Sequence, residues 1–262
     1  MWMGERTKSV LAATLSFAAV FFVWHAATAW WGVPSYVIPS LPELGQSAYA
    51  GLVEGTLYGH IGFTLGSTAV GLLIGAVAGF VVGVVVAEVP ALERAVYPIV
   101  AGIQSVPKVA LAPLIIVYFG LGAGSKIFTV ALLVFFPIFV NTVAGLKSVD
   151  VELVALFRTL SASRLHVLSQ VKIPAAAPAI FSGMKIAVVV GLIGCITSEF
   201  VASMQGIGFI IKSRAGELDV SLMFVCILIL SACGAGAIYL VEILERRFVF
   251  WTRDAAAGDA GR

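Results

Sequence analysis

The chain has 262 residues, of which 60% are hydrophobic and 11% charged, with a formal net charge of +2 and a mean hydropathy of +1.06. A soluble domain averages about 25% charged residues, so the charge here is too scarce to clothe a soluble globule, and such hydrophobicity excludes a disordered chain. What remains is an all-α polytopic membrane protein built from spans of about 20 residues, and without a basic run the small net charge gives no reason to expect nucleic acid.

Residues 1–9 are short and basic, and Val10–Trp31 then runs without a formal charge. A signal peptide competes for this stretch, because Ala27-Thr-Ala29 resembles a cleavage site. The length of the run and the interfacial Trp24, Trp30 and Trp31 favour a first transmembrane helix over 10–31. Gly32–Gly59 reads as a loop with Pro34, Pro39 and Pro42. The second span, 60–87, carries Ser67, Gly71, Gly75, Gly79 and Gly83 at four-residue spacing, a stripe that lets another helix approach closely or else lines a pore. Glu88–Arg94 reads as a polar turn. Beyond it Pro98, Pro107 and Pro113 interrupt an apolar stretch, since proline removes a donor and clashes with the preceding turn. The third span is placed at 109–121 and the fourth at 127–146, the latter holding Pro137 and Asn141.

Lys147–Lys172 is the most polar stretch of any length. Its apolar residues recur with helical period, Glu152, Arg158 and Arg164 interleave, and Ser148 or Asp150 suits an N-cap. It predicts a surface helix or helix pair within a loop over 147–178. The fifth span follows at 179–199, then a second polar loop with Gly206, Gly208, Lys212 and Arg214, and the sixth span at 220–241. The membrane domain thus covers 10–245, and 246–262 forms a tail. With the N-terminus inside, thirteen of the 16 basic residues are cytoplasmic and only Lys126, Lys212 and Arg214 lie outside. The positive-inside rule therefore predicts that both termini and the 147–178 loop face the cytoplasm.

Few residues promise chemistry. Cys195, Cys226 and Cys233 lie in apolar runs and read as packing residues, and His25, His60 and His166 are too scattered for a metal or triad site. Gly120–Lys126 looks briefly like a phosphate loop, but its order is Gly-Ser-Lys rather than Gly-Lys-Ser. No catalytic residue, metal site or cofactor is expected on this chain. Glu199, near the outer end of the fifth span, is either a functional acid paired with Lys212 or Arg214, or a solvated interfacial residue. Lys185 reads as snorkelling. Gln104, Lys108, Asn141 and Glu199 are the candidates for a pathway or gate.

Residues Glu152–Pro178 read ELVALFRTLSASRLHVLSQVKIPAAAP. They resemble the cytoplasmic loop signature of the inner-membrane permeases of binding-protein-dependent ABC importers, Glu-Ala-Ala, two residues, Gly, nine residues, Ile-x-Leu-Pro. The matching positions are Ala155-Leu156-Phe157, Ser161 and Val171-Lys-Ile173-Pro174; Ala155 replaces the first Glu and Ser161 the Gly. Three further blocks, Ser105–Gly120, Phe135–Thr142 and Glu199 with Gly206-Ile-Gly208, resemble the nitrate, sulfonate, taurine and bicarbonate group, as does Leu41-Pro-Glu43. The likeness spans roughly residues 35–250.

The resemblance implies six transmembrane helices with a cytoplasmic coupling helix between the fourth and fifth. Phe157, Arg158, Thr159, Leu160, Ser161, Ala162, Ser163 and Arg164 would dock on a separate ATPase that holds ATP and magnesium. It also implies an extracytoplasmic substrate-binding protein that meets the 206–217 loop, a homodimer of permeases in a prokaryotic inner membrane, and a small anionic solute such as a sulfonate, taurine or nitrate. The rivals are a secondary transporter or channel, which would be expected to show an inverted repeat or coupling-ion site, and an intramembrane enzyme, for which the adjacent Ser198 and Glu199 make a poor pair.

Overall fold

The computed structural model describes residues 2–104 and 106–251; the remainder of the tail, 252–262, lies outside the described residues. Every regular element in them is helical. Four helices are long and apolar enough to cross a membrane, namely Tyr58–Glu88, Ala123–Lys147, Arg164–Val201 and Val220–Phe248, and Thr14–Ala29 is a shorter apolar helix. The chain divides into two compact units, Met1–Gly59 with Ile210–Ile229, and His60–Phe209 with Leu230–Arg262.

The first unit contains α1 (Trp2–Ala29) and α2 (Leu41–Leu52). Helix α2 lies inside the stretch expected to be a loop. Ser40 and Glu43 form a reciprocal capping box, each side chain accepting the other's backbone N–H, so two donors that a helix start leaves orphaned are satisfied. Trp24 Nε1–H donates to the Pro39 carbonyl at 2.8 Å, and the Trp24 ring meets Phe224 edge-on at 5.5 Å. The aromatic belt residue thus anchors the connection between α1 and α2.

The second unit is built around a single central helix. Its elements are α3 (Tyr58–Glu88), α4 (Pro90–Gln104), α5 (Ala112–Phe119), α6 (Ala123–Lys147), α7 (Val151–Thr159), α8 (Arg164–Val167), α9 (Ile173–Val201), the start of α10 (Ile207–Gly216) and the end of α11 (Val220–Phe248). The expected polar turn at Glu88–Arg94 shrinks to Val89, because Pro90 opens α4 at a position where its missing N–H costs nothing.

The third span departs from its expected form. Residues 109–121 are not one helix. A 3₁₀ turn, Lys108–Leu111, leads into the eight-residue α5, with Pro113 in its first turn. Eight residues rise only about 12 Å, far short of a bilayer core of about 30 Å. Pro107 and Pro113 divide the Pro90–Phe119 segment, and neither piece matches the boundaries read from hydropathy.

Helix α6 is the core, and α9 is its most extensive partner. Both neighbours offer it glycine. On α3, a Cβ at Gly71 would stand 2.6 Å from Val130 Cβ, one at Gly79 2.6 Å from the Phe135 carbonyl, and one at Gly83 2.9 Å from Thr142 Cβ; Gly75 abuts the backbone of Ala131. On α9, a Cβ at Gly183 would stand 2.7 Å from Asn141 Cβ, and Gly194 faces Leu133. The four-residue stripe therefore serves packing within the chain. Contact this close gains dispersion without a hydrophobic driving force, which lipid tails do not supply. Val130, Val134 and Ile138 lie buried at the seam with Ala76 and Ala187.

Candidate functional site

Polar groups concentrate at the two ends of the second unit. At one end, Glu88 at the close of α3 pairs with Lys172 just before α9 at 2.6 Å, and Glu93 in the first turn of α4 pairs with Lys147 at the close of α6. These pairs clamp both roots of the 148–172 segment. Within it Asp150, not Ser148, caps α7, accepting the Glu152 N–H at 2.8 Å. Ser163 caps α8 by accepting the His166 N–H at 3.2 Å. A wider π turn, Leu168–Lys172, leads on into α9. The result is a helical hairpin whose floor is Val149, Val167 and Val171, covered by Val154, Phe157 and Ala162.

Of the eight residues expected to dock, Phe157 and Ala162 thus turn inward to this floor. Arg158, Thr159, Leu160, Ser161, Ser163 and Arg164 are exposed. Leu160 and Leu165 are 70% and 74% exposed, and among the described residues neither Arg158 nor Arg164 has an ion pair. A cavity of about 520 Å³ opens beside the hairpin, lined by Arg158, Arg164, Lys172 and Glu88 over an apolar wall.

The backbone at Ser161 shows why the signature carries glycine at this position. Its φ is +61°, in the left-handed region that costs an L-residue about 1–2 kcal/mol and that glycine enters freely. Ser161→Gly is expected to raise the melting temperature of the purified chain slightly, and Ser161→Val to lower it. A thermal-unfolding comparison in detergent checks both.

At the other end, Glu199 is fully buried, so the solvated reading fails. Arg214, one of the two cations considered for it, bonds Glu217 within α10 and the turn that follows. One of the partners of Glu199 comes from a distant span and one from the start of the next helix. Thr64 on α3 donates its hydroxyl hydrogen to Glu199 Oε1 at 2.8 Å, and the Gly208 N–H donates to Oε2 at 2.7 Å. The same Thr64 oxygen accepts the Ile207 N–H at 2.8 Å, and His60 Nδ1 accepts the Gly206 N–H at 3.1 Å. Three successive backbone donors at the start of α10 are thus consumed by side chains of α3 and α9. Gly206 has φ +106°, and a Cβ on it would collide with the Glu199 carboxylate. A Cβ on Gly208 would stand 2.8 Å from Glu199 Cβ. The Gly-Ile-Gly block is glycine because a carboxylate occupies that space.

Lys126 lies at the same end, also fully buried. Its ammonium donates to the Leu121 carbonyl at 2.7 Å, the Ala202 carbonyl at 2.7 Å and Ser125 Oγ at 3.3 Å. Ala202 is the C-cap of α9, where the helix dipole is negative. In the sequence this lysine stands only in a false phosphate loop and among the three extracytoplasmic charges. Lys185 does not merely snorkel either, since it pairs with Glu245 of α11 at 2.6 Å.

The pathway candidates are not gathered in one place. Asn141 donates to the Pro137 carbonyl one turn back at 2.8 Å. It lies fifteen residues beyond Lys126, about 22 Å along α6. Gln104 ends α4 on an exposed position, and the Lys108 side chain lies outside the described residues.

Residues 71–250 match the family described as binding-protein-dependent transport system inner membrane component. Among curated relatives, the riboflavin transport system permease protein RibX of Chloroflexus aurantiacus is 38% identical over 92% of this chain and 89% of its own length. The taurine transport system permease protein TauC of Escherichia coli is 30% identical over 95% of this chain and 93% of its own. A solved chain of the MetNI methionine ABC transporter in inward-facing conformations superposes with a TM-score of 0.63 at 21% identity, covering 74% of this chain and 94% of that one, which establishes a shared fold. The chain is therefore a multi-pass member of the binding-protein-dependent inner-membrane permeases, subunits of ABC importers that are not themselves catalytic and that work with an ATPase and a substrate-binding protein.

Proposed function

We propose that the 148–172 hairpin is the element through which this permease receives the work of ATP hydrolysis. The observation that carries this is its construction. A capped hairpin is clamped at both roots by ion pairs, yet presents Arg158, Leu160, Arg164 and Leu165 outward. A mixed apolar and basic surface held rigidly on the spans suits docking to a protein and transmits displacement rather than absorbing it. ATP and magnesium belong to the partner. ATP must favour one docked state over another to shift the spans between them.

The rest of the reading follows the charge distribution. The chain crosses the membrane six times with both termini in the cytoplasm, the broken Pro90–Phe119 segment supplying the third crossing. Two identical permeases line the pathway. Gln104, Lys108, Asn141 and Glu199 are the residues assigned to the pathway and its gate. The α10 segment meets the loaded binding protein. The solute is a small organic molecule or ion. The motif blocks favour a sulfonate, taurine or nitrate, whereas the likeness to a riboflavin permease favours a heteroaromatic vitamin.

The test is co-purification and reconstitution. The chain expressed with its neighbouring ATPase is expected to purify as a complex and to move solute into vesicles only with ATP and binding protein. Uptake by the chain alone on an ion gradient would overturn the importer reading. Calorimetry on the binding protein encoded beside it decides between an anion and a heteroaromatic solute.

A further inference from the structure

The start of α10 is a ready-made anion site that the chain fills itself. Unpaired N–H groups and the positive pole of a helix N-terminus attract a negative group. Here the Gly206, Ile207 and Gly208 donors are met by His60, Thr64 and Glu199 respectively. Thr64 is the hinge of the arrangement, because its one hydroxyl donates to Glu199 and accepts from Ile207. Glu199 lies in the last turn of α9, whereas His60 and Thr64 lie in the first two turns of α3. Helix α10 therefore starts from a knot tied to two separate spans. Only five residues, Ala202–Gly206, separate α9 from α10, so the knot limits motion that the short linker alone would leave free.

We propose that Glu199 is a positioning residue for transport. Its buried carboxylate, held by Thr64, makes the start of α10 move as one body with the outer ends of α3 and α9, so that span movement and binding-protein engagement reach each other through this knot. The inference deepens the importer reading and rests on it. It gives Glu199 a role in which the acid never touches solute, which suits a group with no exposed surface.

The experiment uses the permease assembled with its ATPase in proteoliposomes, with the neighbouring binding protein outside. Glu199→Gln replaces the carboxylate with a neutral amide that has one acceptor oxygen instead of two, and Gly208→Ala displaces the acid without removing it. Gly66→Ala is the control, since a Cβ there meets nothing within 4 Å. Both test variants are expected to speed hydrogen exchange in the 203–209 segment at least tenfold and to lower solute moved per ATP hydrolysed by tenfold or more; the control changes neither. Thr64→Val and Thr64→Ser supply a matched pair that decides the matter even if Glu199→Gln fails to assemble. The valine loses the hydroxyl and should uncouple, and the serine should restore coupling. An assembled complex whose coupling survives Thr64→Val or Gly208→Ala within twofold, despite faster exchange, overturns the positioning role and leaves the importer reading standing. Failure of any ATPase to assemble with the wild-type chain overturns the importer reading instead.

Discussion

Lys126→Met is expected to cost the folded permease about 3–5 kcal/mol, the largest single-residue effect on stability anticipated for this chain. Methionine fills nearly the same linear volume, so little of the loss comes from a cavity. It comes from hydrogen bonds to a charged group, each worth about 1.5–3 kcal/mol. The partly buried Leu121 and Ala202 carbonyls would both lose their ammonium donor. The cation also occupies an unusual place. It sits in the first turn of α6, where the dipole opposes it, and reaches across to the close of α9, where the dipole favours it. Lys147→Met is the comparator. Its ammonium is half exposed, so loss of its ion pair is expected to cost about 1 kcal/mol or less. Denaturant midpoints of the two variants in the same micelle should differ widely, and coincident midpoints would sink the assignment of Lys126 as a structural cation.

Replacing Arg158 and Arg164 together by glutamate is expected to weaken ATPase association at least 100-fold, while insertion and thermal stability stay at the wild-type level. Neither arginine has an ion pair within the described chain, so reversal should disturb no intramolecular contact that the hairpin needs. Like charges brought together at an interface cost several kcal/mol, which sets the size of the effect. Wild-type association should also weaken as salt rises from 0.05 to about 0.5 M, because exposed charges are screened over about a Debye length, and the variant should have lost that dependence. Affinity measured on the detergent-solubilised subunits checks both arms. Unchanged association would remove the hairpin from the interface, whereas loss of insertion would show the arginines to be structural.

The long helices were legible because uncharged runs of this length have few alternatives. Tyr58–Glu88 and Val220–Phe248 begin within two residues of the spans expected from hydropathy. Short elements were harder. Helix α2 carried a signal in Ser40-Leu-Pro-Glu43, a capping-box spacing, but three prolines nearby argued for a loop. The break around Pro107 was visible as proline, though its consequence, two unequal helices, was not. The site was least legible. Glu199 invited a search for a cation close in sequence, yet its partner is a threonine 135 residues away, and a hydroxyl leaves no mark in charge or hydropathy. Lys126 was hidden differently. Counting it among extracytoplasmic charges assumed a solvated side chain, whereas a lysine whose donors all find carbonyls or a hydroxyl can be buried. Only the Glu199 and Gly206-Ile-Gly208 spacing hinted that acid and glycines belong together.

The glycine lining on either side of α6 has a genetic consequence. Size can be exchanged across a helix seam only when one partner has volume to give up. Opposite Val130, Ala131 and Thr142 the neighbour is already glycine, so an enlarging lesion on α6 has no shrinking revertant available on α3. The reverse lesion does, because a methyl added on α3 can be matched by trimming Val130 or Thr142. Suppressor pairs across this seam should therefore be one-sided, with compensating changes falling on α6 alone.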